Sequence, residues 1–278
     1  MNGLGGSAGP QRATASIPIR PLGRVVAVTS GTGGVGKTFV AANLAAALAR
    51  RGQRVLLLDA YLGLSNLDIG LNLIPTSSLH DVFTGKADLG QAIIQAPGGF
   101  SVLLAGLGLV EHARLTPDVR EEFLRVIGSL APRYDLVLLD TGAGISDVVL
   151  FSVSLASVVL LVATPEPNAL SDAYATVKVL ASQQKRSRIH LVVNHTARRG
   201  DGRAITAQLQ QVLDRYLVCE PGQGIRLSHL ADIPADAAAH QAVMRRQLLW
   251  QTAPACPSAL AVEQLACKLE DAVLSPQA

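Results

Sequence analysis

Residues 30–38 read Ser30-Gly31-Thr32-Gly33-Gly34-Val35-Gly36-Lys37-Thr38, and this stretch decides the fold. Gly31, Gly36, Lys37 and Thr38 meet the spacing G-x-x-x-x-G-K-[ST]. The glycines let successive backbone N–H groups turn inward around phosphate oxygens. Lys37 supplies a cation to the β and γ phosphates, and the Thr38 hydroxyl can ligate Mg²⁺.

The flanks support this. Arg24–Thr29 is a short β-branched apolar run that ends at the loop and reads as a buried strand. From Thr38 to Arg51 the residues Val40, Leu44, Ala47 and Leu48 follow helical spacing, and Gly52 suits the residue just past a helix end. Val55–Asp59 is a second strand. The glycine loop therefore sits at a helix N-terminus, where the helix dipole favours an anion.

Further along, strand-like runs are expected at Ser101–Ala105, Leu136–Asp140, Val158–Ala163, Ile189–Asn194 and Gly224–Leu227. Helix-like stretches at Ser78–Thr84, Pro117–Leu130, Leu170–Ser182, Ala204–Tyr216 and Ser258–Leu274 separate most of them. Such alternation predicts an α/β fold with a doubly wound, mostly parallel sheet, which binds ligands at the carboxyl ends of its strands. Of 278 residues, 49% are hydrophobic and only 4% aromatic, so helices rich in Ala and Leu can pack on such a sheet. The expected organisation is a flexible arm over residues 1–22, rich in Gly, Ser, Ala and Pro, and one nucleotide-binding domain over residues 23–278.

Composition also excludes some classes. A net charge of +3 is too small to argue for nucleic acid, and the basic groups Lys185-Arg186-Ser187-Arg188, Arg198-Arg199 and Arg245-Arg246 are scattered. Cys219, Cys256 and Cys267 lack metal-ligand spacing and read as reduced thiols. The longest apolar stretch, Val148–Ala163, is shorter than a membrane span and carries three serines; it reads as a helix end followed by a strand.

Two more elements point to the same site. In Leu136-Val137-Leu138-Leu139-Asp140 four apolar residues run into a carboxylate, the Walker B form, and Asp140 would hold Mg²⁺ beside the loop. Gly142 and Gly144 would permit a mobile segment that senses the γ phosphate. Asn194 ends the strand Ile189–Asn194; its amide can donate and accept, which suits an adenine edge, although an ordinary turn asparagine is the alternative.

The chain resembles the MinD/ParA group of deviant Walker A ATPases, and within it the FlhG/FleN flagellar number and site-determining regulators. The likeness rests on the loop at 31–38, on Leu58-Asp59-Ala60-Tyr61-Leu62-Gly63-Leu64-Ser65-Asn66-Leu67-Asp68, on Asp140-Thr141-Gly142-Ala143-Gly144-Ile145, and on Thr164-Pro165-Glu166-Pro167-Asn168-Ala169-Leu170-Ser171-Asp172-Ala173-Tyr174. The resemblance implies a P-loop NTPase fold, a cytoplasmic location, ATP and Mg²⁺, and an ATP-dependent homodimer. It also implies membrane association through a C-terminal helix. The implied partner is a flagellar GTPase or a flagellar transcriptional activator. By motif, Gly33, Gly34, Val35, Gly36, Lys37, Thr38 and Phe39 line the nucleotide, Asn194 meets adenine, Asp140 and Thr38 hold the metal, and Asp59 lies near the metal shell. Lys37 and Asp140 carry whatever catalysis remains.

Three positions depart from the family. The signature Lys that reaches the partner's phosphates is Thr32 here. The second Asp of the family's Asp-x-Asp, which orients the attacking water, is Tyr61. Phe39 replaces a Ser or Thr after Lys-Thr. The expectation is a nucleotide-binding protein with weak or lost hydrolysis. A working ATPase in which another group, such as Asp172, compensates is the second reading. A ParA-like relative that positions DNA or another polar cargo is the third. The usual partner-stimulating motif is missing from residues 1–22. The last helix has a mostly acidic polar face, whereas membrane-surface helices favour Lys and Arg, so it is expected to pack on the domain.

Overall fold

A computed structural model describes residues 22–61, 67–106, 115–198, 200–217 and 224–274. Among these, eight strands form one sheet: β1 (Leu22–Ser30), β2 (Val55–Asp59), β3 (Ile93–Gln95), β4 (Ser101–Leu103), β5 (Leu136–Ala143), β6 (Ala156–Ala163), β7 (Arg188–Thr196) and β8 (Arg226–Pro234). Their order is β3-β4-β2-β5-β1-β6-β7-β8. All neighbours are parallel except the edge pair β3 and β4.

The helices that cover the sheet are α1 (Lys37–Arg50), α2 (Leu67–Leu71), α3 (Leu79–Phe83), α4 (Leu89–Ala92), α5 (Pro117–Leu130), α6 (Asp147–Ser154), α7 (Pro167–Gln184), α8 (Asp201–Tyr216), α9 (Ala237–Met244), α10 (Leu249–Thr252) and α11 (Pro257–Leu274). Strand residues alternate between two cores. Val26 and Val28 join the layer of α1 and α11, while Val25 and Ala27 join the layer of α5, α6 and α7. With both faces covered, the interior stretches of the central strands, such as Val25–Val28 and Leu136–Leu139, are apolar throughout and read as unbroken hydrophobic runs. Five of the six alanines of α1 (Ala41, Ala42, Ala45, Ala46 and Ala47) are buried, so this helix lies close on the sheet.

The last helix packs on the domain. Val262, Leu265, Ala266 and Leu269 are buried. Its acidic residues pair with the end of α1, Glu263 with Arg50 at 3.2 Å and Glu270 with Arg51 at 2.6 Å. Among the described residues no helix is long and apolar enough to cross a membrane.

Several expectations need correction. Leu22 begins β1 rather than ending an arm. The final strand starts at Arg226 and runs to Pro234, well past Leu227; Ser228, His229 and Asp232 break its apolar run and hid it. β5 continues through Gly142 to Ala143, so Gly142 is a strand residue rather than a residue after the strand end. Helices α2, α4, α9 and α10 and strand β3 were not anticipated; all are short. Residues 1–21, Leu62–Asn66 of the second family block, Cys219, and residues 275–278 lie outside the described residues.

Candidate nucleotide-binding site

The loop leaves the end of β1 and closes onto the first turn of α1. Gly34 and Gly36 hold φ of 78° and 89°, left-handed values that a side chain resists. Gly36 has a second reason to lack a Cβ, because one would strike the Asn194 side chain. Asn194 donates from Nδ2 to the Val35 carbonyl at 2.9 Å, which fixes the amide and ties the end of β7 to the loop. Val35 is buried and anchors the loop in the core.

Gly31 answers to a different constraint. A Cβ there would meet the backbone of Asp172 and Ala173 in α7. Helix backbone cannot step aside as a side-chain tip can. Gly31→Ala is therefore expected to destabilise the protein by about 3 kcal/mol, the upper end for overpacking. Urea denaturation measures this; an unchanged midpoint would mean that α7 does not abut the loop.

Lys37, Thr38, Asp59 and Asp140 converge beside the loop. Asp59 and Asp140 sit opposite one another in the parallel register of β2 and β5, and both are buried. The Asp59 carboxylate accepts from the Tyr61 N–H at 3.1 Å and the Ala105 N–H at 3.4 Å. Asp140 is pushed up to about 7, first by burial and then by the Asp59 charge, against a hydrogen bond with the Thr38 side chain and the charge of Lys37. Burial pulls the Lys37 ammonium below its ordinary value, and Asp140 opposes that shift. The Asp140 Oδ1 atom is buried and has no hydrogen-bond partner.

A buried carboxylate oxygen without a donor, next to a second carboxylate and a hydroxyl, is what a hard cation needs. Among the described residues no group of three or more His, Cys, Asp or Glu gathers to hold a metal alone. Mg²⁺ keeps waters and phosphate oxygens in its shell and is held by one or two carboxylates rather than by an all-protein cage. The residues present fit the ion.

The substituted positions occupy the same region. Thr32 is half-buried, and its carbonyl accepts from the Ser30 hydroxyl at 2.6 Å. The Tyr61 ring lies across Gly142, where an added Cβ would come within 2.6 Å of Tyr61 Cδ2. Gly144 donates to the Ser30 carbonyl at 2.9 Å, so the end of β5 is pinned to the start of the loop. Phe39 lines a cavity of about 530 Å³ that opens on Gly34 and Gly36 and reaches Asn194. Its other walls include His195, Pro234, Asp236 and His240. The sequence carried no signal for these four beyond the place of His195 after Asn194.

A glycine loop closing on a helix N-terminus, with a buried carboxylate at the end of the next strand, defines a P-loop NTPase. The chain belongs to the CobQ/CobB/MinD/ParA nucleotide-binding domain family, whose model matches residues 26–249. Among similar proteins, the antiactivator FleN of Pseudomonas aeruginosa is 36% identical over 89% of this chain and 86% of its own length. The flagellum site-determining protein YlxH of Helicobacter pylori is 28% identical over 87% of this chain and 80% of its own. The septum site-determining protein MinD of Pyrococcus horikoshii, solved with Mg-ADP, matches with a TM-score of 0.71 and 25% identity, covering 92% of this chain and 99% of that one.

Proposed function

We propose that this chain is a cytoplasmic MinD-like regulator of flagellar number and placement that binds ATP with Mg²⁺ and hydrolyses it weakly or not at all. The flagellar part rests on likeness to an antiactivator FleN and a flagellum site-determining YlxH. The nucleotide part rests on the family and on a MinD relative solved with Mg-ADP.

In this proposal the backbone of Gly33, Gly34, Val35 and Gly36 and the Lys37 ammonium take the phosphates. Thr38, Asp140 and Asp59 hold Mg²⁺, which when bound neutralises charge on the phosphate oxygens. Asn194 fixes the base end of the loop. The observation that carries the reading is a contrast within one site. The cradle is complete, while the two groups a hydrolytic site needs for the attacking water and the transferred phosphate are a tyrosine ring on Gly142 and an uncharged Thr32. A phenol hydroxyl is a poor proton acceptor compared with a carboxylate. The protein then acts as an interaction module, as an ATP-dependent homodimer or with a flagellar GTPase or transcriptional activator.

A second reading, a compensated and working switch, draws on Asp172, whose backbone abuts Gly31. Titration of a fluorescent ATP analogue with Mg²⁺, with phosphate release followed in the same sample, separates the two. Saturable binding without turnover is expected; Mg²⁺-dependent turnover at an ordinary ATPase rate would move the conclusion to the working switch.

A further inference from the structure

A second cavity, of about 310 Å³, shares Phe39 and Val243 with the first and opens between α1, α2 and the turn from α9 to α10. Its floor is apolar: Ala42, Leu67, Leu71 and Leu248 are all buried. Its rim is apolar as well. Ile69 and Val243 line it and are 47% and 53% exposed, and Met244, next in the chain, is 72% exposed. An apolar recess edged by exposed Ile, Val and Met marks a surface that something covers. Methionine suits such a surface, because its unbranched side chain adapts to a partner.

The charge at the rim has one sign. Arg246 is the only charged residue among the described lining residues, and Arg245 precedes it in the chain. Both are exposed, and neither has an ion-pair partner among the described residues. Asp68, the acid of α2, does not line the groove. Arg246 also stands where glycine is at home. It closes α9 with φ of 54° and donates from its N–H to the Val243 carbonyl at 3.0 Å. The left-handed conformation costs a non-glycine residue about 1–2 kcal/mol, and such strain gathers where a side chain holds a ligand.

We propose that this groove receives an amphipathic helix of a partner protein, with its apolar face between α2 and α9 and its acidic flank against Arg245 and Arg246. A helix fits better than a lipid surface, because the apolar residues line a recess between helices. Thr38 and Phe39 of the phosphate-loop helix also line the groove, so the docked helix lies against the turn that meets the nucleotide. This inference deepens the interaction-module role proposed above and rests on it.

The test titrates the full chain into a fluorescein-labelled synthetic peptide of about 15 residues, with Leu at i, i+3, i+4, i+7 and i+11 and Glu at the flanking positions. A second peptide carries Lys in place of Glu. The variants are Ile69→Gln, and Arg245→Gln combined with Arg246→Gly. Glycine suits the backbone at position 246 and the other two sites are exposed, so the fold is retained. The acidic peptide is expected to bind saturably and the Lys peptide at least about ten-fold more weakly. Each variant is expected to weaken the acidic peptide about ten-fold, while the double arginine variant melts no earlier than the wild type. Equal binding of the two peptides, or variants within about two-fold of the wild type, would overturn the proposal. Adsorption to phosphatidylglycerol vesicles that the variants abolish, without peptide binding, would overturn it in favour of a membrane contact. No binding of the acidic peptide, in a sample that still binds a fluorescent ATP analogue, would overturn the docking surface alone. Failure to bind either would overturn the nucleotide-binding function as well.

Discussion

Phosphate release from ATP is expected to rise at least about 10²-fold when Thr32→Lys and Tyr61→Asp are combined. A cation delivered to the transferring phosphoryl group is worth roughly 10³–10⁵ in rate, and a positioned base roughly 10²–10⁴. Such groups act as a unit, so the two factors do not multiply, and the lower figure is the safer one. The Tyr61 change also lifts a ring off Gly142 and leaves a carboxylate two residues from Asp59. Each single variant should gain little, because the other missing group still limits the step. A double variant that binds nucleotide as tightly as the wild type yet turns over no faster would show that these positions are not what restrains hydrolysis.

Removing the charge at Asp140 should have opposite effects on stability and function. Its folded-state value of about 7 lies above the ordinary 3.8, mainly because the group is buried. A raised carboxyl is least costly to the fold when protonated. Its contribution is therefore most favourable below about pH 4 and is lost as pH climbs towards 7. One pKa unit corresponds to about 1.4 kcal/mol, so a shift of this size places an upper bound of about 4 kcal/mol on the penalty at pH 8. Lys37 loses its neighbouring charge in the variant, which takes back part of the gain. Asp140→Asn is expected to stabilise the nucleotide-free protein by about 2 kcal/mol at pH 8 and by progressively less towards pH 4. Denaturation at both pH values measures this. In the same variant Mg²⁺ should no longer strengthen nucleotide binding. A variant less stable than the wild type at pH 8 would mean that Asp140 is well compensated without a cation.

Much of the central sheet was legible because its strands are buried on both faces, and burial on both faces leaves an apolar run that ends abruptly. Val25–Thr29, Val55–Asp59 and Leu136–Asp140 could be placed from that pattern, and the glycine loop between the first strand and its helix set the site. Most of β8, beyond Leu227, escaped because an edge strand tolerates Ser228, His229 and Asp232, where one-sided burial relaxes the demand for apolar residues. Helices of four or five residues, such as α2 and α10, are too short to show a period. In the site, the loop and the two aspartates are contiguous motifs. The cavity walls are not: His195, Pro234 and His240 meet Phe39 because β7 and β8 end, and α9 follows β8, at the same edge of the sheet. That meeting depends on topology, which no local stretch encodes.

Helix α1 starts at the phosphate loop and ends, about 20 Å away, in contact with the acidic residues of α11. Its middle is buried between sheet and neighbours, and Arg50 and Arg51 tie its far end to α11. The position of the phosphate loop is therefore held in part from the opposite end of this rod.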